Sequence, residues 1–441
     1  MKKVALLLLT SVCVGMGQQK LSLDEAIRVG LAHNKLAQIS VARAEGADAR
    51  AGEARAALLP SLKFEGSYRR LSEVDPFQVQ LPILPAPIMI SPVVLDNYTS
   101  RISLQQPIFT GFKLRSNARS AEYLALAAAA DTKNDRSDVV LSIVNAYWGL
   151  LQARETRKTV DENVVRLESY VKDGENMLKA GMLTRGDLLR LEVQLSNSRL
   201  TQIDAANDAQ LAEMNCNNVL GLPLDTSLEL TSSPSVPPER FTISPAEGVK
   251  SLTMRALQDR PDLRAIESRV EAARAGVAAA KGNWWPQVFF SGSYFYSRPN
   301  SRWFPTRDEW KGTWDLGVVV QFDLWNWGAT LRQAEQAGAT LRQQELLYTQ
   351  MKDNTILDVT RAELQVRRAK AKVEVALLAV EQADENLRIM RQRFKSGTAT
   401  PTELLDAEVA LLQATTGRTG AIIEKAIADA RLSKSVGGLT N

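Results

Sequence analysis

The sequence predicts a mainly α-helical chain with a small β part, built as a tandem duplication of one helix-strand-strand-helical-hairpin unit. Three observations carry this. Ala, Leu, Gln, Glu and Arg dominate long stretches, the bias of extended helices and coiled coils. The two halves repeat each other at fixed offsets. Four short stretches alternate apolar and polar residues with the period of a β-strand. About half of all aromatic residues fall between Trp284 and Trp327, next to two of those stretches.

The repeat is read residue by residue. Leu59-Pro60-Ser61 through Gly66-Ser67-Tyr68 matches Trp285-Pro286-Gln287 through Gly292-Ser293-Tyr294, an offset of 226 (286 − 60). Lys179-Ala180-Gly181 and Asp187-Leu188-Leu189 match Lys395-Ser396-Gly397 and Glu403-Leu404-Leu405, an offset of 216 (397 − 181). Leu220-Gly221 and Val436-Gly437 keep the second offset. The change places extra residues in the first copy between its paired strands. The copies are expected at 18–221 and 246–441, with a Pro- and Ser-rich linker, 222–245, as an irregular belt between them.

Each copy opens on a helix, from about Leu36 to Leu59 and from about Pro261 to Trp285. Pro60 and Pro286 stop these helices, because proline disfavours a helical residue before it. Strands follow at about 61–70 and 99–108 in the first copy, and 287–297 and 314–324 in the second. Leu62, Phe64, Tyr68, Ile102, Leu104, Phe290, Tyr294, Tyr296, Val318, Val320 and Phe322 fall on apolar positions of the alternation. Each stretch has roughly the nine to eleven residues of a tilted membrane strand. Trp284, Trp285, Trp325 and Trp327 sit at strand ends, as aromatic residues do at membrane interfaces. A Pro-rich apolar loop at 71–97 and a shorter one with Trp303 and Trp310 join the strands.

No proline interrupts the stretches from Lys113 to Ala180 or from Ala329 to Ser396. Each would extend about 100 Å as a helix, with a coiled-coil seam through Val373, Leu377, Val380, Leu387 and Phe394. Gly181 and Gly397 reverse the chain, and Thr184 and Thr400 can cap the helices that follow. The helical hairpins are expected at about 113–220 and 329–436.

Lys2 and Lys3 before an apolar run ending near Gly17 read as a cleaved export signal, 1–17; Cys13 lies in a poor lipidation context. That leaves Cys216, a lone thiol with the character of a small buried residue. A formal net charge of +4 from 54 basic and 50 acidic residues gives no basic stripe, so no nucleic-acid partner is expected. His33 is the sole histidine and is placed near a helix start. No His or Cys cluster suggests zinc, triad chemistry or a cofactor, and Asp187 replaces the lysine that phosphate-loop spacing from Gly181 to Gly186 would need. The reading is a protein that is not an enzyme.

Four membrane strands cannot close a barrel, so such a chain must oligomerise in lipid. The duplicated Leu-Pro and Trp-Pro junctions, the strand end Gln106-Pro107-Ile108-Phe109 and the two glycine hairpin tips together resemble the TolC-type outer membrane efflux proteins over nearly the whole chain after the signal. The resemblance implies a homotrimer whose twelve-stranded transmembrane barrel, set in outer-membrane lipid, continues into a periplasmic α-helical coiled-coil tunnel. It implies a passive exit duct for drugs, metals, other small molecules or proteins in a tripartite efflux or type I secretion system. The partners would be a periplasmic adaptor and an inner-membrane pump of the resistance-nodulation-division or ATP-binding cassette type. It also carries an acidic ring at the tunnel entrance onto Glu403 and Asp406, whose first-copy equivalents are Asp187 and Arg190. The family's arginine two residues beyond the second tip glycine is Ala399 here. Adaptor docking is carried onto Ala180, Gly181 and Met182 and onto Ser396, Gly397 and Thr398. The rival reading is an exported periplasmic coiled-coil structural or adaptor protein.

Overall fold

Glycine and proline positions punctuate the chain, and the elements between them repeat in order. A computed structural model describes residues 19–80, 82, 83, 85, 87–233, 241 and 248–440; the expected signal segment and part of the linker lie outside the described residues. The first copy runs through strand β1 (Gln19–Leu21), helices α1 (Leu23–His33) and α2 (Lys35–Ala56), strands β2 (Ser61–Arg70), β3 (Phe77–Val79), β4 (Ile88–Ser91) and β5 (Asp96–Phe109), and helices α3 (Lys113–Lys179) and α4 (Arg185–Leu220). Strand β6 (Leu228–Leu230) follows. The second copy has helices α5 (Val249–Asp259) and α6 (Pro261–Lys281), strands β7 (Gln287–Arg298) and β8 (Lys311–Gln321), and helices α7 (Ala329–Lys395) and α8 (Pro401–Ser435). The chain is mainly helical with a small β part.

Several particulars differ from what periodicity suggests. α2 and α6 end short of Pro60 and Pro286, in a turn at Ala57–Leu58 and in a 3-10 turn at Gly282–Trp284. His33 lies at the end of α1, not at a start, with its Nδ1 3.0 Å from the Val29 carbonyl. Within the linker, β6 pairs in parallel with β1, Leu21 opposite Leu230, so this part of it is ordered strand. β8 ends at Gln321, one residue before Phe322. The Pro-rich loop contains a small antiparallel pair, β3 with β4.

The elements form two units. The first comprises the chain to Val41, Asp131–Asp262 and the part from Met351 onward; the second comprises Ala42–Ala130 and Leu263–Gln350. α3 and α7, of 67 residues each, contribute to both. The main core of the first unit gathers Leu21, Ile143, Tyr147, Trp148, Leu150 and Leu220, all essentially without exposure. Cys216 belongs to it, and burial pushes its thiol up to about 11. Each copy closes this unit in the same way. Asn34, at the α1–α2 elbow, donates from Nδ2 to the Val219 carbonyl near the end of α4 (2.8 Å). Its counterpart Arg260 donates to the Ser435 carbonyl at the end of α8 (3.5 Å). Gly221 and Gly437 follow these helices with φ of +74° and +84°, their backbones against His33 and Asp259.

The second unit is organised by an antiparallel sheet of order β2-β5-β7-β8. Pro107 cannot donate to a ladder. It lies past the last β2 pair, Ser61 with Gln105, and at a register shift between Pro107 and Phe109, where no donor is required of it. Beyond this point Gly111 (φ +58°) turns against Gly282, and a Cβ on Gly111 would lie 2.2 Å from the Gly282 carbonyl oxygen. Gly111→Ala therefore meets backbone, not a yielding side chain. The left-handed conformation alone adds about 1–2 kcal/mol, and a clear fall in the thermal unfolding midpoint is expected. An unchanged midpoint would mean that this contact is dispensable.

Candidate functional site

Two surfaces carry the candidate residues, one in each unit. On the sheet, pairing places Leu62 opposite Leu104, Phe64 opposite Ile102, Ile102 opposite Tyr294, Tyr294 opposite Trp314 and Phe290 opposite Val318. Residues directly opposite share a face. The apolar positions of all four strands, Tyr68, Tyr296 and Val320 included, thus fall on one side. Leu62, Phe64, Trp314, Leu316, Val318 and Val320 are each more than 60% exposed, so among the described residues this face is open except at one end, where Trp310 stacks on Tyr296 (5.0 Å between ring centroids). Phe322 lies just past the last strand and is also exposed. The opposite face holds Lys63, Glu65, Ser67 and Arg69 of β2, Thr99, Arg101, Ser103 and Gln105 of β5, Ser291, Ser293 and Phe295 of β7, and Thr313, Asp315 and Gln321 of β8. Sequence alternation finds such a face strand by strand; only the register shows that the four faces coincide. Trp284, Trp285, Trp325 and Trp327 are all exposed beside the strand ends, Trp327 with φ +54°.

The hairpin tips belong to the first unit. α3 ends at Gly181 (φ +70°), where the Met182 N–H donates back to the Met177 carbonyl (2.8 Å). α7 ends in the same way at Gly397 (φ +71°), with the Thr398 N–H on the Arg393 carbonyl (2.8 Å). A left-handed glycine with this six-to-one bond satisfies carbonyls that the helix end leaves open. The second tip has further ties: Thr398 Oγ1 donates to the Arg393 carbonyl (3.1 Å), and Arg393 Nη2 donates to the Thr398 carbonyl (3.1 Å). Ala180, Gly181, Met182, Ser396, Gly397 and Thr398 are all exposed. The tips are neighbours, since a Cβ on Gly397 would lie 3.3 Å from Met182 Cε. Leu191, Phe394 and Leu404, all buried, pack between the hairpins.

The four charged candidates near the tips separate by what their side chains do. Glu403 is turned back on its own helix start. Its carboxylate accepts from the Thr400 N–H (2.7 Å) and the Thr400 hydroxyl (3.0 Å), while Thr400 Oγ1 accepts from the Glu403 N–H, a reciprocal capping box. These donors hold its carboxyl below the usual carboxylate range. Asp187 caps α4 with Thr184 (2.6 Å) and lies 3.8 Å from Arg190. Arg190 also reaches the Thr402 hydroxyl (3.4 Å), joining the first turns of α4 and α8. Asp406 is exposed and makes no hydrogen bond or ion pair among the described residues. Arg190 and Asp406 line one open groove of about 600 Å³ with Leu189, Val193, Leu405 and Val409.

Sequence reasoning missed a buried polar network behind the tips. Glu408, 1% exposed, accepts from Arg166 Nε (2.5 Å), Asn163 Nδ2 (2.9 Å) and the Tyr170 hydroxyl (3.1 Å); Ser198 donates to Asn163 (2.6 Å). Burial, with Glu408 beside it, pushes the Tyr170 phenol far above its ordinary value. The network ties α8 to α3 and α4. Its signal was an acid inside the apolar seam of Leu404, Ala407 and Leu411, but the partners lie more than two hundred residues away. No helix among the described residues is long and apolar enough to cross a membrane, and among them no cluster of three His, Cys, Asp or Glu could hold a metal.

The model of the outer membrane efflux protein family matches residues 28–222 and 252–438, one segment for each copy. The chain belongs to the outer membrane efflux protein family. It is thus an outer-membrane protein. The alkaline protease secretion protein AprF of Pseudomonas aeruginosa is 23% identical over 72% of this chain and 65% of its own length. This chain therefore spans just under two thirds of that relative. Protein CyaE of Bordetella pertussis is 25% identical over 88% of this chain and 78% of its own. Among solved structures, the outer membrane protein VceC of Vibrio cholerae superposes with a TM-score of 0.77 at 21% identity, covering 94% of this chain and 96% of that one. The MtrE outer membrane channel of Neisseria gonorrhoeae in its open state gives 0.75 at 18% identity, covering 95% and 89%. These structures share the fold.

Two outcomes follow from the tip geometry. A carboxyl whose folded value is depressed stabilises above the ordinary range and loses its contribution as the pH falls through the depressed value. Glu403→Ala should therefore raise amide exchange in the first turn of α8 at neutral pH, with variant and parent converging only as the pH falls below the ordinary carboxylate range. Equal protection at neutral pH would show that the capping box contributes nothing. Glu408→Ala leaves Arg166 facing a lost partner and should destabilise the fold by about 3–5 kcal/mol in denaturant titration. Glu408→Gln, which keeps an acceptor, should lose less.

Proposed function

We propose that the chain is one third of an outer-membrane exit duct, a passive conduit of a tripartite efflux or type I secretion system. The observation that carries this reading is the single, largely open apolar face that the strand register assembles. Such a face is stable in lipid, but the sheet ends in two edge strands, β2 and β8, whose outer sides have no partner among the described residues. Hydrocarbon tolerates no unpaired edge, so three protomers join edge to edge into a closed barrel of twelve strands. The polar faces then line the lumen, and the helices of the first unit form the periplasmic part. The protein supplies a path, and an inner-membrane pump supplies the energy through a periplasmic adaptor that docks at the exposed tips.

The acidic entrance falls to Asp406. Glu403 contributes charge, but its carboxylate is committed to Thr400, whereas Asp406 is exposed and unpaired across the groove from Arg190. Three copies gather these groups around one axis, where a ring of carboxylates draws cations and Arg190 tempers the field.

Planar-bilayer recording of the purified protein tests both levels. Discrete pores from a species that cross-links as a trimer are expected. Asp406→Asn should reduce cation preference and block by divalent ions, and Glu403→Gln should change them less. Pores indifferent to Asp406→Asn would remove the gate assignment and keep the duct. A protein that stays soluble without detergent and forms no pores would overturn the duct.

A further inference from the structure

The polar face of the sheet has a charge pattern that a featureless water-filled wall does not require. Arg101 on β5 and Arg302 in the β7–β8 loop both lie over the ring of Phe295, their guanidinium carbons 5.1 Å and 5.6 Å from its centroid. Arg302 is held there by the loop folding onto this face, since its Nη1 donates to the Trp314 carbonyl (2.8 Å) and its Nη2 to Asp315 (2.6 Å). Asn300, 4% exposed, fixes the loop's start by donating to the Lys311 carbonyl (2.9 Å) and Thr313 Oγ1 (3.1 Å).

The acids of this face neutralise one of its bases and leave others without a counter-charge. Asp315 is engaged by Arg302. Glu65 stands opposite Arg101 in register, yet among the described residues no ion pair joins them, and Lys63 and Arg69 on the same face have no acidic partner there. Arg101 donates from Nη2 to Ser293 Oγ (3.1 Å), while its Nε is buried and lacks an acceptor. A buried guanidinium nitrogen without an acceptor is uncommon and has a marked affinity for an oxyanion, because a planar fork of donors fits carboxylate and phosphate geometry. The ring face holds the Arg101 guanidinium in place without consuming its in-plane donors, whereas those of Arg302 go to Trp314 and Asp315.

We propose that this face carries an anion-binding zone centred on Arg101 over Phe295, with Lys63 and Arg69 adding charge on the same face, which attracts solutes bearing phosphate, sulfonate or carboxylate groups. The proposal rests on the duct reading, in which the face lines the lumen. Three copies then form a basic ring, and rings of Arg and Lys select anions where low-dielectric walls focus their field. The conduit has fixed charge of both signs, acidic at the Asp406 entrance and basic along the strands. Anionic cargo gains a favourable station within the barrel.

Pyrophosphate added to the compartment facing the strand loops, in low salt, tests this on the intact channel in a planar bilayer. Voltage-dependent reduction of the current is expected, and raising the salt should abolish it. Arg101→Gln should weaken the block about tenfold. The double change Lys63→Gln with Arg69→Gln should weaken it less; both residues are exposed and unpaired, so this variant reports on the field even if Arg101→Gln folds poorly. Pores that pyrophosphate does not block, or blocks equally in the parent and in both strand variants, would overturn the anion zone and leave the duct standing. Absence of any pore in the parent protein would overturn the duct reading, and the zone with it.

Discussion

Backbone hydrogen bonding at the two edges of a four-stranded sheet is the constraint from which the rest of the protein follows. Within a protomer, β5 and β7 are paired on both sides, whereas β2 and β8 are each paired on one. In water such edges would be tolerable, and the apolar face would be the anomaly. In hydrocarbon the face is at home, and the edges become the anomaly, each unpaired group costing several kcal/mol. No single environment satisfies both features of an isolated protomer. Edge-to-edge closure removes the conflict at once, and the same step turns the polar faces inward.

Duplication explains how one chain builds such a wall, and divergence between the copies shows where the wall is specialised. Both copies close the first unit with an elbow side chain on the carbonyl near the end of the returning helix, Asn34 on Val219 and Arg260 on Ser435. Different side chains thus perform one task at equivalent places. The tips behave otherwise. Glu408 is buried and tied to three partners, while its counterpart Glu192 is on the surface of α4, 3.9 Å from Arg185. Asp406 is matched by Arg190, an opposite charge. The elbow contacts have been kept between the copies, whereas behind the tips the Glu408 network exists in one copy only and the charge of Asp406 is reversed at Arg190.

The fold class was legible because its determinants are local. Period-two alternation, proline stops, tip glycines and long proline-free stretches each act within a few residues, and duplication reads each signal twice. The helix ends before Pro60 and Pro286 were less legible, since a proline disfavours helix upstream without fixing the residue at which it stops. Strands β1 and β6 were invisible: three residues each are too few for a period, and their partners lie far apart in the chain. The site was legible as residue types more than as contacts. Glu403 and Asp406 look equivalent in sequence, one turn apart. Only the geometry separates a carboxylate consumed by Thr400 from one left free. The Glu408 network and the placement of Arg302 over Phe295 depend on long-range or loop geometry, which local pattern does not encode.

The capping of Glu403 also bears on how an entrance at the tips can open. A residue that staples the first turn of α8 to Thr400 stiffens the second tip, where Thr398 and Arg393 add further bonds. The first tip has the glycine turn and the Asp187 cap but lacks the counterpart of the Arg393–Thr398 ties among the described residues. Behind both, Glu408 fastens α8 to α3 and α4 in a setting where breaking a charged pair is strongly unfavourable. Bending within α8 next to Glu408 would disrupt the most heavily bonded carboxylate near the tips. Rearrangement is cheaper at the exposed Arg190–Thr402 contact, a single long bond on the solvent side of the same two helices. Asp406 borders that contact, so the carboxylate proposed for the entrance and the bond most easily exchanged lie on one groove.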